Sequence, residues 1–248
     1  WVDPTPADGT KTTSTSVYLN VTITDATQTS AWFDWNKSLV GYWSMDVRNS
    51  TGVYDNSTYN NFGTTSGAVY NSSGMYGGAY TFDGVNDFIN IDTALGDLAT
   101  TTVGTWSFWV KKATATQQSF MTFGGTTTDN YIYLITEATG VVTITAKISG
   151  VYQWALDSDA SVINLNVWQH ILIVKNATDT TLYVDGIAPP QAYFITTNKN
   201  TWFADISGLD NGRIGSLNKN SGGNTLLLNG TIDDVMIFDR ALSSTEIL

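Results

Sequence analysis

The side chains able to do chemistry in this chain are few, and their types narrow the choice. Acid is almost wholly aspartate: Glu137 and Glu246 are the only glutamates among 22 acidic residues. Glycoside hydrolysis needs two facing carboxylates, one of them tuned as an acid, and two isolated glutamates offer no such local pair. His170 is the only histidine, so a nucleophilic triad or an imidazole-bound metal must use it. It stands in Trp168-Gln-His-Ile-Leu-Ile-Val174, where alternation groups it with Trp168 and Leu172 as a hydrogen-bonded strand residue, and no Gly-x-Ser-x-Gly elbow accompanies it. The chain has no cysteine, which excludes disulfides, zinc thiolates and thiol nucleophiles. Recognition chemistry is what remains. Tyr131, Tyr133, Tyr152 and Trp154 occupy alternating strand positions, a pattern that serves either a platform for the CH-rich faces of sugars or a packed core.

The elements that must carry these groups are short strands with turn signals between them. Apolar alternation predicts strands at 105–110, 120–123, 131–135, 141–148, 151–156, 169–175, 181–184, 211–215 and 231–238. Ser149-Gly150 reads as a two-residue hairpin turn, and Asp83-Gly84 and Asp185-Gly186 read first as turns and only second as cation ligands. Ile232, Val235 and Ile237 have the density of a core strand, yet Asp233 and Asp234 stand side by side within it, which is costly unless hydrogen bonds or a cation compensate them. Ser243 and Glu246 then have the spacing of a capping box, predicting a short C-terminal helical turn. Two long loops, at 49–75 and 188–208, lie outside the strand rhythm.

Toward the amino terminus, residues 2–9 read as an extended linker because Pro4 and Pro6 oppose helix. Residues 17–24 alternate as a half-buried strand, and 30–36 suggest a second. This resembles part of an immunoglobulin or fibronectin-like module, but is too short for that sandwich. The expected organisation is therefore 1–38 as linker plus joining strands and 39–248 as the main domain, with the first strands pairing on this sandwich or assembling with a neighbouring copy or module.

A chain of 248 residues, 42% of them hydrophobic, can bury one large β core. Its formal net charge of -11 and absence of a basic cluster exclude nucleic acid as a partner. No apolar run is long enough to insert in a membrane. The start at Trp1 and end at Leu248 read as a segment of a longer chain.

Four ordered stretches carry a family resemblance. They are Leu39-Val-Gly-Tyr-Trp-Ser-Met-Asp46, Gly77-Gly-Ala-Tyr-Thr-Phe-Asp-Gly-Val-Asn-Asp-Phe-Ile-Asn-Ile91, Trp168-Gln-His170 followed by Leu182-Tyr-Val-Asp-Gly186, and Asn229 to Ile247. In this order they resemble the LamG-like jelly-roll domains of the concanavalin A-like lectin and glucanase superfamily. The resemblance implies an all-β, antiparallel jelly-roll β-sandwich. It also implies calcium, which in such domains pins the first strand and the Asp-rich loop to the last strand. The matching residues are Asp46, Asp55, Asn60 and Asp234, oxygen donors of the kind calcium takes, with turn capping as the alternative role. The two-glutamate strand motif of the glucanase branch is missing, so the expected function is non-catalytic: adhesion, glycan binding or assembly of a surface layer or filament, or a carbohydrate-binding module attached to a hydrolase. A glycan or neighbouring protein modules are the expected partners, at the cell surface or outside the cell. Sequons at Asn20, Asn36, Asn49, Asn56, Asn71, Asn176 and Asn229 are candidate glycosylation sites, three of them clustered in the 49–75 loop.

Overall fold

The structure, a computed structural model, describes residues 37–158, 161–219 and 223–247, all within the unit Asp34–Leu248. The strands expected at 17–24 and 30–36, with the sequons at Asn20 and Asn36, lie outside the described residues.

Among the described residues, eighteen strands follow one another. They begin with β1 (Leu39–Trp43), β2 (Gly52–Val53), β3 (Gly63–Ser66), β4 (Val69–Asn71), β5 (Ala79–Asp83) and β6 (Phe88–Asn90). Next come β7 (Gly104–Lys112), β8 (Gln118–Gly124), β9 (Tyr131–Thr136), β10 (Val142–Ile148), β11 (Val151–Ser158) and β12 (Gln169–Lys175). The last are β13 (Thr180–Val184), β14 (Gln191–Thr196), β15 (Asn211–Ile214), β16 (Leu217–Asn218), β17 (Asn224–Thr225) and β18 (Asn229–Phe238). One large sheet runs β13-β12-β7-β18-β5-β4 with β1 also on β18, a second runs β14-β11-β10-β9-β8-β15-β6-β3-β2, and β16 pairs with β17 in a small ribbon. All the pairings are antiparallel, so the predicted all-β sandwich is the observed fold.

Alternation decides what each sheet buries. From one sheet Phe82, Trp106, Phe108, Ile171, Ile173, Ile232, Val235 and Ile237 point inward, and from the other Met121, Phe123, Ile132, Leu134, Ile144 and Trp154 meet them in a single core. Trp106 lies 4.9 Å from Phe123 and 5.2 Å from Trp202, ring centre to ring centre, while Trp154 stacks on Trp202 at an interplanar angle of 15°.

Each strand predicted from residue 105 onward is present with ends shifted by a few residues, and the turn at Ser149-Gly150 has φ of 50° and 78°, the left-handed pair of a type I′ hairpin. Two departures have physical reasons. The 188–208 loop contains β14, an edge strand whose residues alternate between half-buried and exposed, so that its apolar stretch Ala192–Ile195 buries neither face fully. Similarly, the 49–75 loop holds β2, β3 and β4, each only two to four residues long. The C-terminal segment makes one hydrogen-bonded turn, with the Glu246 carboxylate accepting from Ser243 N at 2.9 Å and from Ser243 Oγ at 2.7 Å. Among the described residues no helix is long and apolar enough to cross a membrane.

Trp154 is 0% exposed and donates its Nε1–H to Thr201 O at 2.9 Å. Trp154→Ala is therefore expected to lower the unfolding free energy by about 3–5 kcal/mol in urea titration. A loss under about 1 kcal/mol would mean that the ring is not part of the core.

Candidate functional site

The outer face of the nine-stranded sheet presents a tyrosine–lysine cluster. On β9, Ile132 and Leu134 enter the core, so Tyr131 and Tyr133 must point the other way. Cross-strand register places Tyr133 between Thr122 on β8 and Thr145 on β10, and Tyr131 between Gly124 and Lys147. Lys147 in turn faces Tyr152 on β11. The rings of Tyr131 and Tyr133 are 5.5 Å apart and inclined by 31°.

Two ammonium groups frame these rings. Lys147 Nζ is 5.5 Å from the centre of Tyr131 and 5.0 Å from that of Tyr152, and it pairs with Asp129 at 2.8 Å. Lys219 Nζ approaches from the other chain segment, 5.3 Å from the Tyr131 ring centre and 6.0 Å from that of Tyr133. Its segment is tied to the sheet, since Ser216 O accepts from Thr122 Oγ1 at 2.9 Å and Asn218 O from Asn211 Nδ2 at 2.8 Å. Burial pushes the Tyr131 hydroxyl up to about 12, opposed by the hydrogen bond and charge of Lys147. Burial also raises the Tyr133 hydroxyl, opposed by its hydrogen bond with Thr145. Both phenols stay neutral near pH 7 and can donate or accept hydrogen bonds. Beside them, the buried Oδ1 of Asn211 and Nε of Arg213 have no hydrogen-bond partner.

The sequence groups Trp154 with the three tyrosines; the structure separates it. Lys147 pairs with Tyr152 but Ala146 pairs with Trp154, leaving Gln153 as an extra residue in β11. This bulge turns two positions that are two apart toward opposite faces, so Tyr152 is 41% exposed and Trp154 is core. Tyr131 is covered, and Tyr133 is half-buried. Sequence reasoning missed Lys147, Thr145 and Lys219. The first two share alternation with β10 and could have been found, whereas Lys219 has no local signal.

The four expected calcium ligands are not brought to one point, and among the described residues no group of three or more His, Asp or Glu side chains is arranged to hold a metal ion. Asp55 is enclosed by its own loop. It accepts from Tyr42 N at 2.8 Å, Ser57 N at 2.7 Å, Ser57 Oγ at 2.7 Å and Asn61 N at 2.7 Å, which leaves it acting as a loop anchor. Asn60 is exposed with φ of 60° and donates to Thr58 O; it is the neighbouring Asn61 that is buried and bonds Val40 O and Asp97. This set of four does not fit one calcium ion.

Asp46, Asp233 and Asp234 interact around the β18 bulge, and each accepts hydrogen bonds. Asp233 accepts Met75 N at 2.8 Å and Tyr76 N at 2.9 Å, Asp234 accepts the Tyr42 hydroxyl at 2.9 Å, and Asp46 accepts Gly78 N at 2.6 Å. Burial raises Asp233 to about 7, against its hydrogen bonds from Tyr76, Met75 and Asp234 N and reinforced by the charge of Asp234. Burial raises Asp234 to about 6, opposed by Tyr42 and reinforced by Asp46.

His170 Nε2 lies 2.8 Å from Ser107 Oγ, and its ring packs 5.1 Å from Trp109. Burial holds its pKa below the usual value, against the charge of Asp185. The Asp185 carboxylate accepts from the backbone N–H of His170, a turn contact rather than the third member of a triad. The Asp83 carboxylate accepts from Val85 N, and that of Asp87 from Asp83 N, so these too serve turns. Among the sequons, Asn49, Asn56 and Asn176 are exposed, while Asn71 and Asn229 are half-buried. Asn229 donates its side-chain amide to Asp83 O at 2.9 Å.

Two antiparallel sheets around one core, with a polar aromatic patch on one outer face, define a jelly-roll β-sandwich of the lectin-like class. Residues 82–248 match the family model described as the concanavalin A-like lectin/glucanases superfamily, and the chain belongs to that family. A search of curated proteins found no match. Among solved structures, domain 4 of AbnA, a GH43 extracellular arabinanase from Geobacillus stearothermophilus in complex with arabinotriose, is similar with a TM-score of 0.60 at 16% identity, covering 85% of this chain and 96% of that one. The CBM40 of the Ruminococcus gnavus IT-sialidase bound to α2,3-sialyllactose is similar with a TM-score of 0.56 at 16% identity, covering 74% and 95%. The K499G mutant of NanB sialidase from Streptococcus pneumoniae gives 0.58 at 19% identity, covering 69% of this chain and 27% of that one.

The aspartate cluster generates a pH-dependent prediction. Because Asp233 and Asp234 bind protons more tightly folded than unfolded, their contribution to stability is complete below about pH 4 and is lost as pH rises through about 6 to 7. In chelator, Asp234→Asn should therefore be more stable than the parent at pH 8 by about 1–2 kcal/mol after allowing for solvent screening, and no more stable at pH 4. Parallel stability curves for the two proteins between pH 4 and 8 would show that Asp234 carries no buried charge.

Proposed function

We propose that this chain is a non-catalytic, extracellular glycan-binding module whose binding surface is the tyrosine face of the nine-stranded sheet. The observation that carries this reading is the juxtaposition of Tyr131, Tyr133 and Tyr152 with hydroxyl and ammonium groups on one outer face. Sugar rings present CH-rich faces to aromatic rings and hydroxyl edges to polar neighbours, and this patch has both. Structural similarity to domain 4 of an arabinanase and to a sialidase CBM40 supports a module carried beside a hydrolase in a longer chain. Adhesion, filament or surface-layer assembly through residues 1–38 is the alternative role.

Calcium belongs to the same proposal as a structural ion, held by Asp46 and Asp234 with Asp233 behind them and with backbone carbonyls and water completing its shell. A cation there would offset the buried charge and stabilise the native state by mass action. The melting temperature at pH 8 should rise by several degrees in excess calcium over chelator, and Asp234→Asn should abolish the difference. Equal melting of the parent in both conditions removes calcium from the proposal.

Native electrophoresis through gels containing arabinan, galactan, xylan or pectin tests glycan binding. Retardation by at least one is expected, with Tyr133→Ala and Tyr152→Ala each weakening it about 3- to 10-fold while the melting temperature changes little. Retardation by none, or retardation unaffected by both substitutions, would remove this face as a glycan site.

A further inference from the structure

Resting on the glycan-binding reading, the geometry points to a carboxylate-bearing glycan as the ligand class of the tyrosine face, with Lys219 and Lys147 meeting the acid group. The first support is where the cations are. The chain has only 11 Lys and Arg residues and a net charge of -11, yet two ammonium groups lie within 5.5 Å of the centre of one ring, that of Tyr131. Such a concentration of positive charge runs against the composition of the whole molecule.

The second support is how those charges are matched. Lys147 is paired with Asp129, but among the described residues no carboxylate stands within 4.0 Å of Lys219, whose ammonium lies over two aromatic faces. A cation–π contact at a partly exposed site is weaker than a charge-assisted hydrogen bond to a carboxylate. An acid group arriving at the rings would therefore draw Lys219 toward itself and free the ring faces for the sugar.

Third, the two cross-strand rows that hold the tyrosines contain no acid. The cross-strand rows through the two tyrosines carry Asn211, Gly124, Lys147 and Tyr152 in one, and Arg213, Thr122, Thr145 and Ala155 in the other, with no Asp or Glu. Asp129 sits at the margin on Lys147, Asp157 is held by Thr143 Oγ1 at 2.6 Å a row further along β10, and Asp92 is engaged by Arg213 and Gly212 N. Around the Tyr131 ring itself, two ammonium groups stand against the one carboxylate of Asp129. At physiological salt, charges more than about 8 Å away are largely screened, so this local balance outweighs the acidity of the chain as a whole.

Calorimetric titration with matched probes tests the assignment: α2,3-sialyllactose against lactose, and oligogalacturonate against its methyl ester. At least one acidic probe should bind about 5-fold or more tightly than its neutral partner, and Lys219→Met, which keeps an unbranched stem over the rings without the charge, should remove most of that preference. Lys219→Arg should retain it. If the neutral partners bind as well as the acids, or if Lys219→Met and Lys147→Met both leave the acidic probe's affinity unchanged, the assignment is overturned. Retardation by a neutral polysaccharide with no binding of either acid would overturn this inference alone, whereas binding of no glycan of either kind would overturn the glycan-binding reading with it.

Discussion

Strand β18 and its bulge are the constraint on which the first sheet depends. Along one edge β18 pairs with β7, while along the other it pairs first with β5 and then with β1. The changeover falls at Asp233 and Asp234, where the register against β7 gains one residue and Asp234 takes a φ of 46°. That extra residue lets Ile232 and Val235, three apart, both enter the core, which plain alternation forbids. It also brings the Asp233 carboxylate, 0% exposed, under the backbone N–H groups of Met75 and Tyr76, so the buried charge organises the loop before β5. Hydrogen bonds satisfy the carboxylate without neutralising it. The raised pKa values of the pair are the cost of that arrangement, and a proton or a cation can relieve it.

With the core filled from both sheets, the outer face of the nine-stranded sheet is left to hydroxyls, amides and phenols. Thr122 and Thr145 are buried there although they face away from the core, Thr122 donating its hydroxyl to Ser216 O of the segment that carries Lys219. A polar surface kept this close-packed is held in shape before any ligand arrives, which lowers the ordering cost of binding. The tyrosine rings are accordingly positioned by strand register rather than by mobile loops.

Much of this was legible in the sequence, and the exceptions share a cause. Long strands with apolar alternation, such as Gln169–Lys175 and Tyr131–Thr136, announce themselves because each carries a buried face. Gln191–Thr196 does not, since as an edge strand it buries neither face fully. Ile232, Val235 and Ile237 already contain the bulge as a spacing of three followed by two, but the bulge at Gln153 has no comparable signature, and so Trp154 reads as a partner of Tyr152 when it belongs to Trp202. The family pattern placed a ligand at Asn60, whereas the amide that closes the Asp55 loop is one residue later, at Asn61. Lys219 reaches Tyr131 through tertiary structure alone, and no local pattern could disclose it.

The distribution of titratable groups accords with the proposal of recognition at the tyrosine face. Glu246 is held at about 2 by the bidentate Arg240 pair and by Ser243, so it has no proton to deliver near neutrality. Glu137 accepts from the Gln117 side chain at the far end of β9 from Tyr131. Groups that do titrate near pH 7 are placed elsewhere: Asp233 and Asp234 in the β18 bulge, and Lys112, brought down to about 8 by burial against Thr136 and the Glu137 carbonyl. The tyrosines themselves are driven away from neutrality by burial. Phenols kept neutral in this way donate and accept hydrogen bonds, the means by which the proposed glycan face would discriminate ligands.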